Sequence, residues 1–178
     1  MSARDHHVGA AEFDRRLSYF VVATADDSDL QIDRSINEVL RLVRDHLQMD
    51  VAFVSQFESG RRVFRYVEQD KSDPVLEVGA ADPIEESFCQ RVIDGRLPQL
   101  VQDVAKLPGF RELPPTAFPI GAHLSTPIVL RDGAVYGTLC CFSFAPDEKL
   151  AQRDLGRLRM AAGMAARLID KANGRGLR

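Results

Sequence analysis

The sequence lacks the features by which nucleic-acid-binding, membrane-spanning and secreted proteins are usually recognised. Its net charge is −3 and no block of five like charges occurs, so we expect no basic surface for DNA or RNA. The least charged stretch near the N-terminus, Leu17 to Ala25, is too short to span a bilayer. It also lacks the basic start and the small-residue cleavage site of a signal peptide. We therefore expect a cytoplasmic protein with neither a nucleic-acid nor a membrane partner.

Cysteine is scarce, with Cys89, Cys140 and Cys141 as the three examples. An odd number without a secretory signal favours reduced thiols. No Cys-x-x-Cys pair occurs and the four histidines are scattered, so no structural zinc site is expected. Cys140 and Cys141 are neighbours on a predicted strand, and their side chains should point to opposite faces of a sheet.

Catalytic motifs are missing as well. The chain contains no Gly-x-Ser-x-Gly, no phosphate-binding glycine loop and no His-Glu-x-x-His. Its acidic residues form no cluster typical of paired acid–base work. These absences weaken the case for an enzyme.

The apolar pattern that is present predicts one α+β domain. Helical spacing and runs of β-formers alternate along the chain. The predicted order is helices at 13–21 and 32–47, a hairpin at 51–67, a helix at 83–95, a short edge strand at 97–101, a proline-rich loop at 103–119, a hairpin at 122–144 and a helix at 147–171. This order predicts an antiparallel sheet of about five to six strands with helices on both faces.

The terminal helices leave two interpretations open. The last one carries an apolar series at spacings of three and four, namely Leu155, Leu158, Ala162, Ala165 and Ile169. The first has Phe13, Leu17 and Phe20 before the polar Thr24. Either both helices pack on one face of the sheet, or they form a bundle that makes a homodimer. On the second interpretation, Leu158→Asp would abolish dimerisation and leave the fold intact.

The motifs between Glu86 and Phe144 resemble those of GAF domains, the small sensory modules of bacterial signalling proteins. The resemblance lies in Ser87-Phe-Cys89, the run to Gly95-Arg-Leu-Pro98, Asp103, Leu124-Ser-Thr-Pro-Ile128 and Gly137-Thr-Leu-Cys-Cys-Phe142. These motifs are similar to those of GAF modules found beside cyclic-di-GMP enzymes and sensor kinases. It implies a GAF-like, PAS-related domain over 30–172, with a lead-in and helix over 1–29 and a flexible tail over 173–178.

The resemblance also implies a ligand pocket between one face of the sheet and a cover made of residues 88–93 and 103–119. Alternation divides the last hairpin into a more polar face with His123 and an apolar face with Leu124, either of which can face the pocket. We favour the polar face, because a pocket needs a few polar groups among apolar walls. The candidate ligand-binding residues are then His123, Ser125, Phe88, Cys89, Asp103, Tyr136, Thr138 and Cys140.

Several of these residues also have a purely structural interpretation. His123 is either a ligand contact, with haem ligation included, or an ordinary hydrogen-bonded side chain. Cys89 is either a redox or adduct site or a small buried thiol. Asp103 either contacts the ligand or caps the turn that follows it.

The function that the resemblance implies is sensory or regulatory. Such a module binds a small molecule, here unidentified, and relays the event through terminal helices and a homodimer to an output domain such as a cyclic-di-GMP enzyme or a kinase. The alternatives are a ligand-free structural module and a chromophore, haem or redox sensor. Free-methionine sulfoxide reductases are catalytic relatives, but they depend on several cysteines and the loop 103–119 has none. The chain is expected to be either free-standing or part of a larger signalling protein.

Overall fold

A computed structural model describes residues 9–23 and 29–175. Its strands are β1 Val51–Glu58, β2 Arg61–Glu68, β3 Ala81–Pro83, β4 Leu100–Val101, β5 Ala122–Val129 and β6 Val135–Ser143. Its α-helices are α1 Ala10–Ala23, α2 Asp29–Leu47, α3 Phe88–Ile93 and α4 Gln152–Arg175. Single 3-10 turns lie at Ile84–Glu86, Val104–Lys106 and Phe110–Glu112. The lead-in before residue 9, the break at 24–28 and the tail beyond 175 lie outside the described residues.

The six strands form one sheet in the order β3-β2-β1-β6-β5-β4, and every pairing is antiparallel. The two predicted hairpins, β1-β2 and β5-β6, meet through β1 and β6 at the centre, where Phe53 pairs with Cys140. This arrangement confirms the predicted α+β fold. The edge strand β3 was missed, because Ala81-Asp-Pro83 is too short to show an alternating pattern.

Helices α1, α2 and α4 cover one face of the sheet, which we call the helix face. The apolar series of α4 is buried there, with Leu158 fully inaccessible, and so are Phe13 and Leu17 of α1. These side chains form the core of a single chain, as the first of the two interpretations expected. Leu158→Asp would therefore disrupt the fold itself, and the expectation that it leaves folding intact is wrong. The side chain of Phe20 and all of Thr24 lie outside the described part.

Helix α4 begins later than predicted. Asp147 accepts a hydrogen bond from the backbone N–H of Lys149 at 2.9 Å, which forms a turn in place of a helical start. Asp154 then accepts one from the N–H of Ala151 at 2.9 Å and satisfies a donor at the true helix start. No helix in the described residues combines the length and the apolar composition needed to cross a bilayer.

The opposite face of the sheet, the cover face, carries α3 and the segment 102–121. The prediction of a helix over 83–95 is wrong at its start, because Pro83 ends the edge strand β3 and pairs with Arg61. Helix α3 begins at Phe88, after its cap Ser87, whose Oγ accepts from the N–H of Gln90 at 3.0 Å. It is followed by Gly95 in the left-handed region, at φ 73°, which ends the helix as predicted. Buried aromatic and aliphatic side chains fill the space between α3, the segment 102–121 and the sheet.

Candidate functional site

A cavity of about 50 Å³ lies between the sheet and its cover. Its walls are mainly aromatic and are formed by Phe53, Phe64, Phe88, Phe118, Phe142, Leu76, Ile120, Thr116, Arg62 and His123. Liquid water occupies roughly 30 Å³ per molecule, so the volume suits one or two waters. The cavity is therefore a small apolar chamber with two basic side chains in its wall.

A larger open groove of about 720 Å³ adjoins the cavity on the outside of the cover. Its walls come from the segment 103–121 together with Phe88, Phe144 and Pro146. Four residues line both spaces and form a partition between them: Phe88, Thr116, Phe118 and Ile120. A movement of this partition would join the cavity to the groove.

His123 lies on β5 and is 2% exposed. Its Nδ1 is buried and has no hydrogen-bond partner among the described residues, and its ring centroid lies 5.6 Å from that of Phe88. Burial, with a contribution from the positive charge of Arg62, lowers the pKa of His123 to about 4. The imidazole is therefore neutral at pH 7, with one nitrogen able to donate and the other able to accept.

Arg62 on β2 is the charged group of the chamber, and the sequence interpretation missed it. Its side chain is 13% exposed and pairs through two hydrogen bonds with the carboxylate of Asp82 on β3. Nη1 donates to Sγ of Cys89 at 3.4 Å, and Cζ lies 4.7 Å over the ring of Phe64. Burial lowers the pKa of Arg62, but Cys89 and Asp82 together raise it, so that the guanidinium stays charged. The sequence does indicate that Arg62 points inward, because alternation on β2 places it on the same face as the buried Phe64.

A chain of buried polar contacts runs from Arg62 across the cover face. Sγ of Cys89 lies 3.4 Å from Sγ of Cys140, which in turn lies 2.9 Å from Oγ of Ser125 and 3.2 Å from Oγ1 of Thr138. Both sulfurs belong to fully inaccessible residues. The hydrogen bond from Cys140, together with the charge of Arg62, lowers the pKa of Cys89, whereas burial raises the pKa of Cys140.

The predicted polar face of the hairpin does lie under the cover for four of its five residues, His123, Ser125, Thr138 and Cys140. Phe88 and Cys89 meet them from α3. Cys141 packs in the helix-face core, on the opposite side from Cys140, as alternation predicted. The three thiols are free. A role for these residues in ligand binding stays a prediction.

Tyr136 does not lie under the cover as predicted, because it packs against the helix-face core. The pairing of β5 with β6 shifts at this point, with Ile128 opposite Gly137 and Val129 opposite Val135. Tyr136 is left without a partner in this register, as in a β-bulge, and simple alternation fails beside it. The prediction that Tyr136 shares a face with His123 is therefore wrong.

Asp103 lies at the outer groove and not at the cavity. Its Oδ1 accepts a hydrogen bond from the N–H of Ala105 at 3.0 Å and caps the turn Val104–Lys106. The cap predicted for Asp103 is thus confirmed, whereas its contact with a ligand stays a prediction. Across 9–23 and 29–175, no group of three or more His, Cys, Asp or Glu side chains is arranged to hold a metal ion.

Comparison with known structures returns proteins of the same fold. The chain matches the GAF domain of an Acinetobacter phosphoenolpyruvate-protein phosphotransferase at a TM-score of 0.71 and 15% identity, covering 94% of this chain and 95% of that one. It matches the chromophore-binding domain of an unusual bacteriophytochrome from R. palustris at 0.72 and 15%, covering 99% and 64%. It also matches a free methionine-R-sulfoxide reductase from Neisseria meningitidis, solved with its substrate, at 0.71 and 13%, covering 98% and 96%.

These identities support the fold alone. No curated protein matches the sequence. The family model of the GAF domain, however, matches residues 30–170, which is most of the chain. The matched region contains the whole sheet, its cover, α2 except for Asp29, and most of α4. Taken with the antiparallel sheet and its covered polar face, this match establishes that the chain belongs to the GAF domain family.

Proposed function

We propose that this GAF domain is a sensory or regulatory module that binds a small molecule on the cover face of its sheet. The observation that carries the proposal is the buried Nδ1 of His123, which lies beside an aromatic cavity and has no hydrogen-bond partner in the part of the chain that the structure describes. A buried polar atom left without a hydrogen bond destabilises a fold by about 1–3 kcal/mol. A ligand that offers a complementary donor or acceptor would recover that free energy on binding.

Binding would require the cover to move, because the cavity of about 50 Å³ has no room for a typical metabolite. The partition formed by Phe88, Thr116, Phe118 and Ile120 stands between this cavity and the groove of about 720 Å³. Displacing the partition would create a site of ordinary ligand size. The ligand would then bind the open cover more tightly than the closed one, which is the differential affinity that a sensor needs.

The proposed relay runs through the strands to the helix face. His123 and Leu124 are adjacent on β5, with the first under the cover and the second in the core beside α4. A shift of β5 would thus reach both layers. The proposed homodimer would use the outer surface of the terminal helices, where Tyr19 is 69% and Met160 is 51% exposed. A shallow groove of about 260 Å³ between α1 and α4 includes Met160. An output domain would read the change.

A ligand-free structural module is the second candidate, and the small size of the cavity favours it. Phe118 stacks on Phe142, and Phe53 meets Phe142 edge to face, so that rings already occupy much of the chamber. A haem or bilin does not fit the cavity as it stands. We propose no catalytic activity, because the cover segment 102–121 contains no cysteine to act as those of the reductases do.

Native mass spectrometry and a visible spectrum of protein purified from its own host test the proposal. A bound mass that is lost in His123→Leu and kept in Tyr136→Phe would support a ligand on the cover face. Tyr136→Phe is the matched control, since it changes one polar group of the same hairpin on the helix face. An apo mass, with no ligand found in a metabolite screen by thermal shift, would overturn ligand binding and favour the structural module. Absorption in the visible range would identify a chromophore or haem.

A further inference from the structure

We propose that Cys89 and Cys140 form a reversible disulfide when the protein meets hydrogen peroxide, so that the cover face carries a site of oxidation. The two Sγ atoms lie 3.4 Å apart, with Cys89 on α3 and Cys140 on β6. A disulfide has a bond length of about 2.05 Å, so the sulfurs need to approach by only about 1.4 Å. The bond would join the cover helix to the floor of the chamber.

The surroundings make the two thiols unequal. The guanidinium of Arg62 touches Sγ of Cys89 at 3.4 Å and favours its thiolate. Among the described residues, no cation lies within hydrogen-bond distance of Cys140, which is instead hydrogen-bonded to the hydroxyls of Ser125 and Thr138. The directions of their pKa shifts agree, since the pKa of Cys89 is lowered and that of Cys140 is raised by burial. Cys89 is therefore the attacking thiolate and Cys140 is the resolving thiol.

The reaction balances with one molecule of peroxide. The Cys89 thiolate attacks one peroxide oxygen, an S–O bond forms, the O–O bond breaks and hydroxide leaves, which gives a sulfenic acid at Cys89. The Cys140 thiol gives its proton to that hydroxide, which becomes water. Its sulfur then attacks Sγ of Cys89, the S–S bond forms, the S–O bond breaks and hydroxide leaves. Two electrons pass from the two sulfurs to the peroxide, and an added dithiol reverses the change by exchange.

Access for so small an oxidant runs through the cavity. Two cavity-lining residues adjoin Cys89: Arg62 is hydrogen-bonded to it, and Phe88 precedes it in the chain. The volume of about 50 Å³ exceeds the share of one water, so a peroxide molecule fits where a larger reagent does not. Because both thiols are inaccessible in the closed state, entry needs a local opening of the cover. Peroxide should thus react while bulky maleimides stay excluded.

The test is the mass of the reduced protein after exposure to peroxide. Samples are quenched by alkylation in denaturant and analysed intact and as peptides. The expected result is a loss of two hydrogens, a cross-linked peptide pair containing Cys89 and Cys140, and full reversal by dithiothreitol. Cys141→Ser, on the helix face, is the matched control and should react like the wild type.

The variants assign the order of events. Cys140→Ser should stop at a sulfenic acid on Cys89 that a dimedone probe captures, while Cys89→Ser should yield neither the probe adduct nor the disulfide. Arg62→Met should slow capture by about tenfold, because the thiolate loses its cation. A disulfide from Cys89 or Cys140 to Cys141 would overturn the proposal. So would a folded protein whose mass does not change at a peroxide concentration that oxidises the denatured chain. Since the readout is mass alone, neither result bears on whether a small molecule binds.

Discussion

The rings of Phe118 and Phe142 are stacked, with centroids 5.3 Å apart and planes 6° from parallel. Phe118 belongs to the cover and Phe142 to β6 in the sheet. This contact therefore holds the cover against the floor of the cavity. Phe118 is also one of the four residues of the partition, so the same ring helps to separate the cavity from the groove.

Phe118→Ala should destabilise the fold and enlarge the cavity. Since the side chain is only partly buried, we expect a loss of about 1–3 kcal/mol, below that of a fully buried phenylalanine. Urea unfolding measures the loss of stability, and the broadening of the NMR line of added benzene shows whether benzene enters the enlarged cavity. Phe110→Ala is the control, because Phe110 lines the groove but not the cavity and is 45% exposed. Equal losses and equal benzene binding in the two variants would contradict a role for Phe118 in separating the spaces.

His123 should make stability depend on pH in a defined window. Its pKa is lowered to about 4 in the fold from 6.5, so below pH 6.5 the unfolded chain takes up a proton that the folded chain refuses. Stability therefore rises with pH from about 4 to 6.5 and is lost as pH falls, by about 3 kcal/mol over the window. Urea unfolding of the wild type and of His123→Phe at several pH values measures the difference. If the free energies of unfolding of the two proteins differ by the same amount at every pH from 4.5 to 6.5, this linkage is ruled out.

At Gly137, β6 lies too close to β1 for a side chain. A Cβ there would overlap the carbonyl oxygen of Ser55, which belongs to the backbone and cannot turn away. Gly137→Ala should destabilise the protein by about 3 kcal/mol, as overpacking against backbone does. Gly163→Ala is the matched control in α4, where open space surrounds the new Cβ, and should add about 0.5–1 kcal/mol through helix propensity. Thermal unfolding of both variants would reveal a loss in the first alone.

Much of the fold follows from local patterns in the sequence. Runs of β-formers ended by turn residues located both hairpins, and Gly95 located the end of α3 as a left-handed stop. The start of α3 was predicted wrongly at Pro83, because a proline suits the first turn of a helix and nothing local shows that it pairs in the sheet. The choice of the polar face for the site also rested on alternation, which holds wherever the ladder is regular, as for His123 and Cys140. These features depend on neighbours in sequence, and one chain contains the information for them.

The remaining errors come from contacts between distant segments. Tyr136 changed faces because the register between β5 and β6 slips, which no pattern within either strand encodes. Alternation on β2 places Arg62 on the cover face, but its pairing with Asp82, 20 residues later on β3, is a contact that no local pattern encodes. The approach of Cys89 to Cys140 likewise spans 51 residues and joins two layers of the fold. Both cysteines are site candidates in the sequence, but no local pattern indicates that they are paired.

The terminal helices supply the last prediction, which separates folding from assembly. Leu158 is fully inaccessible in the helix-face core, whereas Met160, two residues on, is 51% exposed beside the groove between α1 and α4. Leu158→Asp should unfold the protein, because a buried carboxylate without a partner destabilises it by about 4 kcal/mol or more.

Met160→Asp should leave the fold intact and weaken the proposed homodimer, because a charge would then face the partner's apolar surface. Circular dichroism checks the fold, and sedimentation velocity over a dilution series measures the dimer. We expect a wild-type dimer that becomes a monomer in Met160→Asp at the same concentration. Arg153→Asp, at the N-terminal end of the same helix and away from that groove, controls for the added negative charge and should remain dimeric. A wild type that sediments as a monomer at every concentration would exclude the dimer, and the relay would then have to act within one chain, from the cover face through β5 to α4.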